Sequence, residues 1–151
     1  MPVNLLYVHG VSKVGGAERD LLTLLAHLDR PRFRPLVALP DRGPRRKLKS
    51  AFLLGPALSR LWRLIRSRRV ALVRVNDFWY IPLAQRAARW AGIPAVAHVR
   101  QEIEPRRVHQ HRMGTVDRLL TVSGQIRETA LRGGPLARAG ADLLQPRGQS
   151  G

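Results

Sequence analysis

Five short, largely apolar runs punctuate this chain: Asn4–His9, Phe33–Leu39, Val70–Val75, Ile93–Val99 and Val116–Val122. They lack the strict apolar–polar alternation of a strand with one wet face. Runs of this kind belong to strands buried on both sides, the signature of a parallel sheet. The segments between them carry helical spacing instead. Leu21, Leu24, Leu25 and Leu28 form one stripe, widened by Leu22, behind a start marked by Gly15-Gly16 and acidic Glu18 and Asp20. Pro56 suits the first turn of a second helix running to about Arg66, with Leu58, Leu61, Trp62 and Ile65 on its apolar side. Tyr80 to Ala91 reads as a third helix. Its small-residue face (Ala84, Ala87, Ala88, Ala91) permits close approach to a sheet, and Gly92 ends it. A short helix is expected after Pro105, and Ser123 can cap a last one reaching about Leu131.

Strands alternating with helices predict an α/β fold, a mostly parallel sheet covered on both faces. The order of strands within the sheet is not written in this pattern, and no internal repeat is visible. Asp41 to Ser50 is polar and basic and reads as a loop. The expected division is one domain over residues 1–131 and an irregular tail over 132–151, where the alternation fails.

Composition narrows the chemistry. The 151 residues contain no cysteine, which excludes disulfides, thiolate metal sites and a thiol nucleophile. Lys and Arg number 27 against 10 Asp and Glu, a formal net charge of +17. Such an excess attracts nucleic acid, anionic lipid or phosphorylated substrates, although an arginine-favouring genome accounts for it equally well. Three Trp, two Tyr and three Phe are too few for a base-stacking surface, which disfavours nucleic acid. The start, MPVNLLYVHG, has no basic segment followed by a long apolar run, and no run approaches the roughly 20 residues that span a bilayer. A cytoplasmic location is the expectation.

A turn that follows a buried strand and feeds a helix exposes free N–H groups and binds anions. Gly10, Gly15 and Gly16 are placed for that, and Lys13 can add charge, although the segment matches neither GxGxxG nor a phosphate loop. A plain flexible turn is the competing account. Ligands of parallel sheets bind beyond the carboxyl ends of the strands. There stand His9, Asn76-Asp77 and His98-Val99-Arg100. His98 is a candidate hydrogen-bond donor or general acid/base, and Arg100 a candidate clamp for phosphate or carboxylate. Glu102, with Glu104, is a weaker candidate because nothing fixes the separation of the two. Phe78-Trp79-Tyr80 either line a pocket or anchor the next helix, and the anchor is the simpler role. His109 and His111 lack metal-site spacing, so no metal is expected.

These landmarks also carry a resemblance. Leu5 to Gly10, Gly15-Gly16-Ala17-Glu18-Arg19 and Leu21-Leu22 are similar to the start of family 4 glycosyltransferases. Leu72 to Asp77 resembles that family's strand ending in hxHxN, Ile93 to His98 its histidine-bearing strand, and Asp117 to Ser123 the strand and cap late in its first domain. The resemblance implies the Rossmann-like N-terminal half of a two-domain GT-B enzyme. Such an enzyme transfers a sugar from a nucleotide sugar, its donor substrate, to a glycan or lipid-linked acceptor, usually with retention; no cofactor is implied. Under it, Gly15 and Gly16 lie near the donor phosphates and the acceptor, and His98 contacts the transferred sugar. Asp77 and Arg100 remain weaker binding candidates, with His9, Lys13, Asn76 and Glu102 behind them. The family's second, nucleotide-gripping domain with its Glu-x7-Glu segment has no counterpart in the 151 residues, so the chain alone is expected to be inactive. The basic surface suits peripheral contact with anionic membrane at its inner face. The alternatives are a stand-alone nucleotide- or phosphate-binding α/β module and a basic nucleic-acid-associated protein.

Overall fold

The computed structural model describes residues 1–10, 15–39, 51–100, 104–110 and 113–132. Within them, five strands, β1 (Val3–Val8), β2 (Phe33–Ala38), β3 (Val70–Val75), β4 (Ala95–Val99) and β5 (Arg118–Thr121), form one sheet in the order β2-β1-β3-β4-β5. Every neighbouring pair is parallel. The helices are α1 (Gly16–Ala26), α2 (Ala51–Ser67), α3 (Ile81–Ala91), α4 (Pro105–Gln110) and α5 (Gly124–Arg132). The fold is an α/β domain with a parallel sheet flanked by helices, like the N-terminal half of the GT-B architecture.

The chain winds from β1 outward to β2, then crosses back over β1 to lay down β3, β4 and β5. Its direction therefore reverses between β1 and β3. α1 and α3, which follow those two strands, are on opposite faces of the sheet, the arrangement that opens a crevice at such a point.

One face of the sheet holds the main core. Leu6, Val8, Val73, Val75, Ala95, Ala97, Val99 and Leu119 project from the strands into a cluster with Leu58, Leu61 and Ile65 of α2 and Ala84, Ala87 and Ala88 of α3. Ala84, Ala87 and Ala88 of the α3 alanine face are fully buried and Ala91 partly so, which lets α3 approach α2 as well as β3 and β4. The alternate strand residues Tyr7, Arg74 and His98 point to the other face, where α1 lies, tied down through Glu18 and Asp20.

Local chemistry explains the element ends. Gly92 takes a left-handed φ of 72° and closes α3, its N–H donating back to Arg89. Pro35 sits in β2, an edge strand of the sheet, where a missing N–H is tolerated. The Ser123 hydroxyl accepts from the Ile126 N–H at 3.3 Å and starts α5. The Asp117 carboxylate accepts from the Ala95 N–H at 2.7 Å, joining the approach to β5 to the start of β4.

The boundary that differs most from the sequence expectation is the start of α2; β4 and β5 also begin two residues later than expected, at Ala95 and Arg118. α2 begins at Ala51, so Pro56 lies inside the helix instead of in its first turn. The apolar stripe of this segment, packed on α3 and β3, outweighs the backbone bond that proline cannot make. Asp41–Ser50, Lys13, Glu102 and residues 133–151 of the tail lie outside the described residues. Among those described, no helix is long and apolar enough to cross a membrane.

Candidate functional site

A cavity of about 280 Å³ opens at the carboxyl ends of β1, β3 and β4, lined by His9, Ala17, Glu18, Asn76, Asp77, Phe78, Trp79, His98, Val99 and Arg100. Five of the sequence candidates thus meet in one place: His9, Asn76, Asp77, His98 and Arg100. They meet because each stands within two residues of the carboxyl end of a parallel strand, around the reversal point.

His98 sits on β4 with its Nδ1 facing two guanidinium groups. Arg74 Nη2 lies 3.0 Å from it and Arg100 Nε donates to it at 3.3 Å. Burial, then the charges of Arg74 and Arg100, push the imidazole down to about 4, against a weaker opposite pull from Asp20. The ring is therefore neutral at physiological pH. Its Nδ1 acts as acceptor and its proton resides on Nε2. In this state His98 offers a fixed N–H donor, which fits hydrogen bonding to a ligand oxygen better than proton abstraction.

Arg100 reaches past His98 to Asp20 on α1 at 2.9 Å, a pair that is exposed on the Asp20 side. Arg74 was not singled out from sequence, although an arginine inside the run Leu72-Val73-Arg74-Val75 is itself a signal. Its guanidinium also lies 5.9 Å from the Tyr7 ring centroid, and its buried Nε has no partner among the described residues. Burial, together with the neighbouring Arg100 charge, lowers its affinity for a proton. It acts on the site through His98.

Glu18 is the second residue whose role emerges only in the structure. Its Oε2 accepts from the Gly15 N–H at 2.7 Å, while its Oε1 lies 2.8 Å from His9 Nε2. The first bond is half of a capping box, with glycine unable to reciprocate; the spacing Gly15-x-x-Glu18 carried that information. Glu18 therefore already uses one N–H of the glycine turn. The helix start left for an anion is the backbone of Gly16 and Ala17. Gly15 and Gly16 are both exposed, and neither borders the cavity.

Gly10, expected to help build the anion turn, has a different task. A Cβ at this position would collide with the Tyr80 ring and the Asp77 carboxylate, so only glycine lets the strand end pass so closely. Asp77 in turn accepts from the Trp79 N–H at 3.1 Å and starts the 3-10 turn Phe78–Tyr80. Within that turn Phe78 and Tyr80 are buried anchors, while Trp79 is half-exposed beside the cavity. The aromatic cluster thus serves both of the roles considered for it. Among the described residues no three His, Asp or Glu side chains gather to hold a metal ion.

The fold, with its strand-end cavity, is that of one Rossmann-like half of a GT-B-like architecture. Compared with solved structures, the chain is similar to the apo form of the lipopolysaccharide outer core galactosyltransferase WaaB, with a TM-score of 0.68 at 14% identity over 87% of this chain. It is likewise similar to a complex of S. aureus MnaA with UDP, with a TM-score of 0.65 at 14% identity over 91% of this chain. The chain spans 43% and 42% of the lengths of those two proteins. No family model matches the chain, and no curated protein matches it.

Proposed function

We propose that this chain is the acceptor-side, N-terminal domain of a family 4-type glycosyltransferase. The enzyme it belongs to transfers a sugar from a nucleotide sugar to a glycan or lipid-linked acceptor. The observation that carries the reading is the convergence of His9, Asn76, Asp77, His98 and Arg100 on one cavity beside the start of α1. His98 presents its Nε2–H to an oxygen of the transferred sugar. The backbone N–H groups of Gly16 and Ala17, at the start of α1, face the donor phosphates, and Lys13, in the same turn by sequence, adds positive charge. Asp77 and Arg100 border the acceptor, with Asn76, His9 and Glu102 as further candidates. The nucleotide is gripped by a second Rossmann-like domain across the cleft, so the 151-residue chain alone neither binds nucleotide sugar tightly nor transfers it. Likeness to a UDP complex and to a galactosyltransferase supports a nucleotide sugar as donor, and the basic surface supports a cytoplasmic enzyme resting on anionic lipid.

Two measurements test this reading. Calorimetric titration of the purified chain with UDP-sugars should give affinity weaker than about 1 mM, a free energy near −4 kcal/mol. Coding DNA next to that of this chain, read in all frames, should yield a Rossmann-like domain with Glu-x7-Glu, and the joined polypeptide should transfer radiolabelled sugar in a manner lost in His98→Ala. Sugar transfer by the chain alone would refute the division of labour. A joined polypeptide with no nucleotide-sugar-dependent transfer would refute the transferase reading.

A further inference from the structure

At the seam where the sheet reverses, β1 and β3 run in register, Val8 beside Val75, and the Asn76 N–H donates to the Val8 carbonyl at 3.0 Å. His9 and Asn76 therefore stand side by side, one residue past that pair, on the wall of the cavity. Both are more than nine-tenths buried, with 3% and 7% of their surfaces exposed. Buried polar groups in folded proteins are almost always hydrogen-bonded. Yet His9 Nδ1, Asn76 Nδ2 and Asn76 Oδ1 find no partner among the described residues.

The chemistry of the three atoms is specified by what surrounds them. Partial burial raises the Glu18 carboxyl, but hydrogen bonds from His9 and from the backbone N–H groups of Glu18 and Gly15 bring it to a net lowered pKa. Glu18 is thus a carboxylate and can only accept, so His9 Nε2 carries a proton. In the neutral ring Nδ1 is then a bare acceptor. Next to it Asn76 offers one donor nitrogen and one acceptor oxygen. A set of two acceptors and one donor suits a pair of hydroxyls: one donates to His9 Nδ1 while accepting from Asn76 Nδ2, and the other donates to Asn76 Oδ1.

We propose that His9 and Asn76 form a subsite for two adjacent hydroxyls of a sugar ring, held at the β1–β3 seam by the Glu18 carboxylate behind His9. The cavity, about 280 Å³, lies just below the roughly 300–1,000 Å³ of common small-molecule pockets and matches a sugar ring better than an entire nucleotide sugar. Trp79, half-exposed on the same wall, supplies an aromatic face for the C–H side of a pyranose. The carboxylates of Glu18 and Asp77 border this corner and oppose a phosphate there. Glu18 acts as a positioning residue, fixing the His9 tautomer. The assignment rests on the sugar-handling reading above and adds the subsite and its hydroxyl pattern.

The test uses the full 151-residue chain with 15N-labelled histidine, observed by long-range 1H–15N correlation near neutral pH. The probes are methyl hexopyranosides and their single-deoxy derivatives, with inorganic phosphate as the contrasting ligand. The expected free state shows His9 protonated on Nε2 and bare on Nδ1. Methyl glycosides at up to roughly 100 mM, well above the millimolar Kd expected of a few hydrogen bonds, should shift the Nδ1 resonance saturably. At least one deoxy derivative and the near-isosteric Asn76→Asp variant should each weaken the response about tenfold or more. Asn76→Leu should abolish it while leaving the His98 resonance in place, which reports that the fold is intact. A His9 ring protonated on both nitrogens, a silent His9 with every glycoside, or a stronger response to phosphate would overturn the subsite. If the joined two-domain polypeptide transfers sugar while His9 stays silent, the subsite alone is wrong. If His9 responds to glycosides but no transfer occurs, the subsite stands and the transferase reading falls.

Discussion

Acidification should weaken this fold through His98 before the carboxylates titrate. The imidazole is held at about 4 in the native state against an ordinary value of 6.5. Above pH 6.5 it is neutral in both folded and unfolded chains and contributes no pH dependence. As pH falls from 6.5 toward 4, the unfolded chain binds a proton that the native site resists, so stability declines across that window and levels off below it. A shift of this size is worth about 3 kcal/mol in a dry site at 1.36 kcal/mol per pH unit. The ring is only partly buried and borders an open cavity, so solvent screening reduces the expected loss to roughly 1–2 kcal/mol. Urea unfolding of wild type and His98→Gln at a series of pH values between about 7 and 4 isolates the effect, because Glu and Asp protonation is common to both proteins. The difference between them should shrink or invert on acidification by that amount. Removing one of the two charges in Arg74→Met should raise the His98 titration point, read directly by NMR. The reasoning is refuted if His98 titrates above pH 6 in the wild-type chain, or if Arg74→Met leaves it unmoved.

Three further perturbations probe the scaffold. Gly10→Ala forces a methyl group into the Tyr80 ring and the Asp77 carboxylate, so it should cost about 1–3 kcal/mol in urea unfolding and disturb the 3-10 turn that carries Trp79; an unchanged midpoint would show that the ring swings away freely. Arg69, between α2 and β3, has a left-handed φ of 46°, and Arg69→Gly should raise stability by about 0.5–1 kcal/mol, visible as a higher thermal midpoint. Pro56→Ala restores a backbone donor inside α2 and should also stabilise, by up to about 3 kcal/mol, with increased helical circular dichroism.

The elements were legible because each depends on a local period. The run Val70–Val75 can hardly be anything but a buried strand, and the α1 leucines at three- and four-residue spacing can face only one way. Gly92 announced the end of α3 because a left-handed residue there favours glycine. The start of α2 was misplaced for the converse reason: a local rule put Pro56 in a first turn, and packing of the helix against α3 and β3 carried the helix past it.

The candidate site was only half legible. Residues past strand ends could be named from sequence, since parallel strands present their carboxyl ends to ligands. Which of them share a cavity depends on strand order, and order arises from contacts between residues dozens of positions apart. Nothing local places His9 beside Asn76, or sets Arg74 of β3 against His98 of β4; only Arg100, two residues on, shares the His98 face by strand alternation. Sequence alone therefore determined an α/β chain with polar groups at the ends of its buried strands. The tertiary structure decided that the sheet reverses between β1 and β3, so that these groups converge. It also decided that burial among guanidinium groups keeps His98 a neutral donor, because a proton affinity is set by the charges and solvent around a side chain and not by its neighbours in sequence.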